Sequence, residues 1–241
     1  MSERVVSLVP SLTEAIAVSC PGVLVGVTDY CSHPADLEAV RVRGTKNPDV
    51  DRIIALAPDL VVVNREENRA EDIQAIHDAG LRIWLTDPET VPQALTQLRD
   101  LLAALGAGQV EWLNEATRAW SEPHAGPRRR VLVPIWRRPW MTLGRDTFAG
   151  DLLSRMGYDN VLADHADRYP KVDLGKLPDY DLVLLPDEPY AFAADDGPEA
   201  FPGTPAALVS GRHLTWYGPS LARARSVLGE QIADARVYGP A

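Results

Sequence analysis

Aromatic and arginine side chains follow several apolar segments of this chain. Trp136, Arg137 and Trp140 come directly after one such segment. Trp216 and Tyr217 follow another. Flat aromatic faces beside a few placed polar groups are typical of sites for flat or bulky ligands. Arginine beside them suits carboxylate, phosphate or catecholate oxygens. These residues therefore predict ligand capture, and the alternative is that Trp136 and Trp140 only cover loops.

The elements that would position these side chains alternate between short apolar strands and helices. Continuous apolar strands separated by helices indicate a parallel sheet covered on both faces. The clearest predicted strands are residues 5–9, 60–63, 130–136 and 181–185. Ligands of such sheets bind beyond the carboxyl ends of the strands. The ligand-binding candidates that follow predicted strands are Tyr30, Asn64, Arg65, Trp136, Arg137, Trp140, Arg212, Trp216 and Tyr217.

One internal repeat indicates two lobes of similar plan. Residues 56–64 and 177–185 both read as the end of a helix, a Pro-Asp turn and an apolar strand. We therefore predict an α/β fold of two lobes with parallel sheets joined by a single connecting helix. The predicted boundaries are 1–106 for the N-terminal lobe, 107–122 for the connecting helix and 123–241 for the C-terminal lobe.

Two local patterns predict helix features. Ser11 and Glu14 have the spacing of a capping box, which predicts that Ser11 caps the first helix. Trp112, Ala116 and Trp120 recur every four residues and so share one helical face. Such a stripe predicts packing rather than a ligand site.

Composition narrows the classes of function. The chain has 241 residues, with 24 Lys and Arg against 34 Asp and Glu, a net charge of −10. This charge argues against nucleic acid as a general partner, because nucleic-acid binding requires clustered cations. No apolar run approaches the roughly 18 residues of a membrane span, so we expect no membrane insertion. The first residues lack a secretory signal, so the sequence as written predicts a cytoplasmic protein unless a leader was removed. We expect a monomer.

Signatures of catalysis are missing from the sequence. It lacks the glycine-rich nucleotide motifs, the H-E-x-x-H zinc motif and the G-x-S-x-G nucleophile motif. We therefore predict no enzymatic activity and no required cofactor. Cys20 and Cys31 are predicted to be reduced thiols, although they could pair in an oxidising compartment.

Three segments resemble one known family. Residues 4–14 (RVVSLVPSLTE), 26–31 (GVTDYC) and 47–61 (NPDVDRIIALAPDLV) resemble class III periplasmic binding proteins. These proteins are the solute receptors of ABC importers for cobalamin and ferric siderophores. The resemblance implies two Rossmann-like lobes joined by one rigid helix, with the ligand in a cleft between the lobes.

The resemblance also implies particular ligand contacts. Lys46 and Asn64 stand where the cobalamin receptors carry Trp, which leaves room for an anionic iron chelate. Asp51 fits the acidic position that docks onto the permease of the importer, and Asp173 is a guess for its counterpart in the second lobe. The residues that match ligand positions of the family are Tyr30, Lys46, Asn64, Trp136, Tyr169 and Trp216.

A metal site is the second hypothesis. His33 and His213 are expected in loops of the two lobes, as in the zinc and manganese members of the wider superfamily. Cys31, Asp29 or Asp187 could complete the three or four ligands that such a site needs. Either histidine could instead be an axial ligand to a corrinoid or haem.

The leading hypothesis is a solute-binding protein that captures cobalamin or a ferric siderophore for ABC-type import. The bound corrinoid or ferric chelate would be the ligand, and a permease would be the protein partner. The first alternative is a cytoplasmic metal- or cofactor-trafficking protein, or an enzyme, that uses His33 and His213 on the same fold. The second alternative is a sensory or interaction module without an importer.

Overall fold

Two parallel β-sheets, each with its own helices, form the fold in the computed structural model, which describes residues 3–238. The chain divides into two units. Unit 1 comprises the described residues up to Pro88, together with Ala94–Asn114 and Tyr217–Pro219. Unit 2 comprises Glu89–Gln93, Glu115–Trp216 and the described residues from Ser220 onward. The predicted α/β class is confirmed, and the predicted boundaries at 106 and 122 stay predictions.

The sheet of unit 1 is entirely parallel and has the strand order β3-β2-β1-β6-β7. Its interior strand β6, which lies between β1 and β7, is buried along its whole length, because its Val-rich sequence is covered on both faces. The elements up to residue 119 are β1 (Val5–Ser7), α1 (Pro10–Ser19), β2 (Leu24–Val27), β3 (Val40–Arg41), β4 (Arg43–Gly44), β5 (Asn47–Pro48), α2 (Val50–Ala55), β6 (Leu60–Asn64), α3 (Ala70–Asp78), β7 (Ile83–Thr86), α4 (Val91–Ala104) and α5 (Glu111–Ala119).

The start of α1 differs from the capping-box prediction, which is wrong. Pro10 is the first helical residue, and Val9 precedes it without a side-chain cap. Proline suits this position because its fixed φ matches the helix and its missing N–H would have no helical partner. Ser11 is therefore inside the helix and buried.

The sheet of unit 2 has the strand order β11-β8-β12-β13-β14, parallel except for the last pair. The single strand predicted over residues 130–136 is wrong. The chain forms two strands there, and the second, β9, pairs antiparallel with β10. Pro134 starts β9 and cannot donate to a ladder, which favours the break. The elements are β8 (Arg129–Leu132), β9 (Pro134–Trp136), β10 (Met141–Thr142), α6 (Phe148–Arg155), β11 (Tyr158–Asn160), β12 (Leu182–Pro186), β13 (Pro205–Val209), α7 (Gly211–Thr215), α8 (Leu221–Ala233) and β14 (Arg236–Val237), with 3-10 turns at Leu174–Lys176 and Pro198–Ala200.

The tryptophan stripe of α5 packs, as predicted. In unit 1, Trp112 donates from Nε1 to Ser19 Oγ at 3.0 Å. In unit 2, Trp120 is 3% exposed and donates from Nε1 to the carbonyl of Leu221 at 2.9 Å. Trp120 is thus buried and Trp112 half-buried, and both indole N–H groups have a hydrogen-bond partner. Within residues 3–238, no helix has the length and apolar character needed to cross a membrane.

Candidate functional site

A buried polar network organises the carboxyl ends of the unit 1 strands. Asn64, the last residue of β6, is 3% exposed. Its Oδ1 accepts hydrogen bonds from the backbone N–H groups of Glu66 and Glu67, at 2.8 and 3.0 Å. Its Nδ2 donates to the carbonyl of Thr86 at 3.1 Å. The amide of Asn64 therefore holds the following loop in place rather than presenting itself at the surface.

A second amide continues this network. Asn68 donates from Nδ2 to the carbonyls of Thr45 (3.0 Å) and Leu8 (3.3 Å). Its Oδ1 accepts from the backbone N–H of Asn64 at 2.9 Å. The network thus joins the segment after β1, the turn between β4 and β5, and the loop after β6.

Three predicted ligand residues of unit 1 are exposed around this network. Tyr30 is 66% exposed. Its ring lies close enough to β4 that a Cβ on Gly44 would be 3.1 Å from it. Lys46 is exposed, and its Nζ donates to the carbonyl of Glu66. Arg65 is exposed and forms an ion pair with Asp87 at 2.7 Å. Lys46 and Arg65 give this edge of unit 1 two cations.

Tyr217 lies in the interior of unit 1. Its side chain is buried, and its hydroxyl hydrogen-bonds with Thr86 Oγ1 at 3.2 Å. Burial raises the pKa of the Tyr217 hydroxyl far above its usual range, so the group stays neutral. Arg212 and Trp216, which were predicted alongside it, belong to unit 2. The predicted docking residue Asp51 is exposed in the first turn of α2.

Trp136, the last residue of β9, has an exposed aromatic side chain. Of its surface, 42% is accessible. Tyr190 meets the indole edge-on, with ring centroids 5.7 Å apart and planes at 79°. This T-shaped geometry is favoured by aromatic quadrupoles and restrains the ring. Trp136 is therefore a braced aromatic surface at the carboxyl end of the unit 2 sheet.

Arg137 is held inside unit 2 by its own partners. Its guanidinium forms ion pairs with Asp196 and, at 2.5 Å, with Glu199. It also lies over the ring of Trp140, 5.3 Å from the centroid. Burial opposes its charge, but the two carboxylates outweigh burial and raise the pKa of the guanidinium. Tyr190 donates its hydroxyl to Asp196 at 2.5 Å, so the same carboxylate braces the ring that supports Trp136.

Trp140 packs against the core of unit 2. Its ring stacks on Phe192 with centroids 5.9 Å apart and meets Phe201 edge-on at 5.4 Å. Phe192 and Phe201 are both buried. The interpretation that a tryptophan covers a loop thus fits Trp140 better than Trp136. Tyr169, also in unit 2, is half-buried.

The last predicted cluster of unit 2 surrounds α7. Arg212 lies over the ring of Trp216, 5.7 Å from its centroid. His213 is in this short helix, so its predicted place in a loop is wrong. Ser210 caps the helix, and its Oγ hydrogen-bonds with His213 Nδ1 at 2.9 Å. Burial and then the charges of Arg212 and Arg223 lower the pKa of His213, so the neutral form is favoured.

Histidine and cysteine provide no compact metal site in either unit. Across residues 3–238, no group of three or more His, Cys, Asp or Glu side chains has an arrangement that could hold a metal ion. His33 is half-buried, and its Nδ1 hydrogen-bonds with Ser32 Oγ at 3.0 Å. Cys20 and Cys31 are free and buried, which confirms the prediction of two thiols. The proposed metal role of His33 with His213 stays a prediction.

Sequence reasoning missed the residues that support the site. Asp196 and Glu199 come from a turn-rich segment that carried no chemical signature, yet they bind Arg137. One signal was available in the sequence. Arg137 stands between aromatic residues that were expected to pack, and a guanidinium that is partly buried among them requires carboxylate partners.

Comparison with known proteins identifies the family. The periplasmic binding protein family matches residues 5–182. The vitamin B12-binding protein of Salmonella typhimurium is 29% identical over 177 residues, which cover 70% of this chain and 66% of that protein. The chain thus spans slightly less than two thirds of the length of that relative.

Solved structures share the fold. A periplasmic heme-binding protein from Roseiflexus sp. RS-1 has a TM-score of 0.77 at 21% identity, covering 97% of this chain and 99% of the other. The periplasmic vitamin B12 binding protein of Vibrio cholerae has a TM-score of 0.73 at 16% identity, covering 96% of each chain. These relatives are binding proteins, in agreement with the prediction that the chain is not an enzyme. The chain belongs to the periplasmic binding protein family, as the resemblance of its first 61 residues predicted.

Proposed function

We propose that this protein is a solute receptor that captures a metal chelate and delivers it to an ABC-type permease. The observation that carries the proposal is the exposed indole of Trp136, braced edge-on by Tyr190. The names of the relatives support the ligand class, because they bind vitamin B12 or heme. Cobalamin, heme and ferric siderophores are the candidate ligands. Asp51, exposed on α2, is the candidate contact for the permease.

Capture would require no chemical step. The face of the ligand would cover the exposed 42% of Trp136, or about 100 Å² if the whole residue has roughly 250 Å². At about 25 cal/mol per Å², this burial contributes about 2.5 kcal/mol. Within unit 1, Arg65 and Lys46 are the candidate partners for anionic groups of a chelate. Asn64 would act by positioning the loop that carries Arg65, since its amide is engaged in the buried network.

Fluorescence titration tests the proposal. Purified protein is titrated with cyanocobalamin, iron protoporphyrin IX, a ferric catecholate and a ferric hydroxamate, and both tryptophan emission and Tm are recorded. We expect at least one chelate to quench emission and raise Tm, because a ligand that binds only the folded state stabilises it. Trp136→Leu should then raise Kd by about tenfold or more, up to the roughly 70-fold that corresponds to 2.5 kcal/mol, because leucine retains part of the apolar contact.

The matched control is Trp84→Leu, which removes a half-buried tryptophan of β7. This variant should retain the affinity of the parent protein. Unchanged emission and Tm across the whole chelate panel would overturn the proposed function. Equal loss of affinity in the two variants would remove Trp136 from its proposed role.

A further inference from the structure

Neighbouring arginines in the loop after β9 have opposite environments. Arg137 has a side chain only 17% exposed and two carboxylate partners. Arg138 is exposed, and among residues 3–238 no hydrogen bond or ion pair holds its guanidinium. Its backbone lies in the left-handed region, with φ at +68°. Because Arg137 is paired and Arg138 is exposed, Arg138 is the cation of this loop that is available to a ligand.

The carboxylate of Asp196, on which the charge of Arg138 acts, already has two other hydrogen-bond partners. Asp196 accepts from Arg137 through Oδ1 and from the Tyr190 hydroxyl through Oδ2. Arg138 acts on this group only through longer-range charge. Because both oxygens of Asp196 have close partners, an incoming anion can approach Arg138 without displacing an ion pair.

Arg138 follows the exposed indole of Trp136 by two residues, directly after the end of β9. The charge of Arg138 acts on the Tyr190 hydroxyl. The Tyr190 ring contacts Trp136 at 5.7 Å between centroids. A left-handed conformation disfavours most side chains by roughly 1–2 kcal/mol, so the backbone at Arg138 must be held by its surroundings. On either side of it, Arg137 and Trp140 are anchored by the contacts described above.

We propose that Arg138 is a specificity-determining residue, which binds a carboxylate at the edge of a flat chelate whose face covers Trp136. The protein would thus select metal chelates with carboxylates at the ring edge over chelates with an uncharged edge. A guanidinium fork matches a carboxylate in a bidentate geometry, which gives directional selectivity as well as attraction. This inference rests on the proposed function, since it names the ligand class of the same site.

The test compares two ligands that differ only in edge charge. Iron protoporphyrin IX carries two carboxylates, and its dimethyl ester carries none. Kd is measured for both in the same buffer with the parent protein, Arg138→Gln and the matched control Arg129→Gln. Arg129 is also exposed, at the start of β8. We expect Arg138→Gln to raise Kd for the acid about tenfold, a typical effect of losing one charge-assisted hydrogen bond, and to change Kd for the ester less than twofold. Arg129→Gln should change neither.

The possible binding results separate the role of Arg138 from the proposed function. An equal effect of Arg138→Gln on acid and ester, or no effect on either, overturns the role of Arg138 while the proposed function stands. Binding of cyanocobalamin but neither porphyrin overturns the selectivity for carboxylates and again leaves the proposed function intact. Binding of no chelate by the parent protein overturns both. Arg138→Gly is the second variant, since glycine adopts φ +68° without strain and it must reproduce the Arg138→Gln result.

Discussion

Truncation of Asn68 to alanine tests whether the buried amide network stabilises unit 1. The substitution removes three hydrogen bonds, to the carbonyls of Leu8 and Thr45 and from the N–H of Asn64. Each hydrogen bond contributes about 0.5–1.5 kcal/mol net, and each buried partner left unpaired adds to the loss. We therefore expect Asn68→Ala to lower the free energy of unfolding by about 2–4 kcal/mol.

Thiol labelling in urea measures this loss in the unit where it arises. Cys20 and Cys31 are buried, and both belong to unit 1, so their alkylation reports its unfolding. The labelling midpoint of Asn68→Ala should shift to lower urea by at least 1 M, at a slope of about 2 kcal/mol per M. Asn114→Ala is the control, because Asn114 is exposed in α5 and alanine favours a helix. A wild-type midpoint for Asn68→Ala, or an equal shift for Asn114→Ala, would refute the reasoning.

Three further predictions concern unit 2. Gly144→Ala should lower stability by about 1–3 kcal/mol or more in urea unfolding, because its Cβ would overlap the backbone carbonyl oxygen of Asp167. Trp120→Phe should lower stability by about 1–3 kcal/mol in the same assay, since the first carbonyl of α8 loses its buried donor. Arg130 lowers the pKa of Asp181, so their pair stabilises the fold above the unfolded pKa of about 3.9 and this contribution is lost as pH falls through the lower folded pKa. The Tm difference between the parent and Arg130→Gln should therefore be present at pH 7 and vanish near pH 2; a difference independent of pH would contradict it.

The strands were largely predictable because burial on both faces leaves a direct record in the sequence. The apolar run at residues 60–63 became β6, and that at 181–185 became β12 with its first residue outside the strand. Helix and strand boundaries that depend on a single backbone N–H group were harder to predict. Pro10 displaced the predicted cap, and Pro134 separated two strands, because a missing N–H outweighs the surrounding pattern in both places.

The candidate site was predictable in residue type but only partly in residue role. The rule that site residues follow the ends of strands pointed to Trp136, which is the last residue of β9. The same rule could not show that Arg137 is paired and Arg138 exposed, because the partners of Arg137 lie about 60 residues away along the chain. Nor could it show that the Asn64 amide is engaged in unit 1, since its partner Thr86 comes from another strand. Pairing across large sequence separations depends on tertiary structure, which side-chain type alone does not encode.

In the proposed receptor, the residues that brace Trp136 would contribute to binding without touching the ligand. Asp196 holds Arg137 and Tyr190 together, and Tyr190 in turn restrains Trp136. Ordering a large side chain upon binding costs about 0.5–1.5 kcal/mol, and here that cost is met during folding. An aromatic surface fixed in advance loses less entropy when a rigid chelate covers it. The turn-rich segment that provides Asp196 would therefore affect affinity indirectly, because its carboxylate fixes the tyrosine that orients the indole.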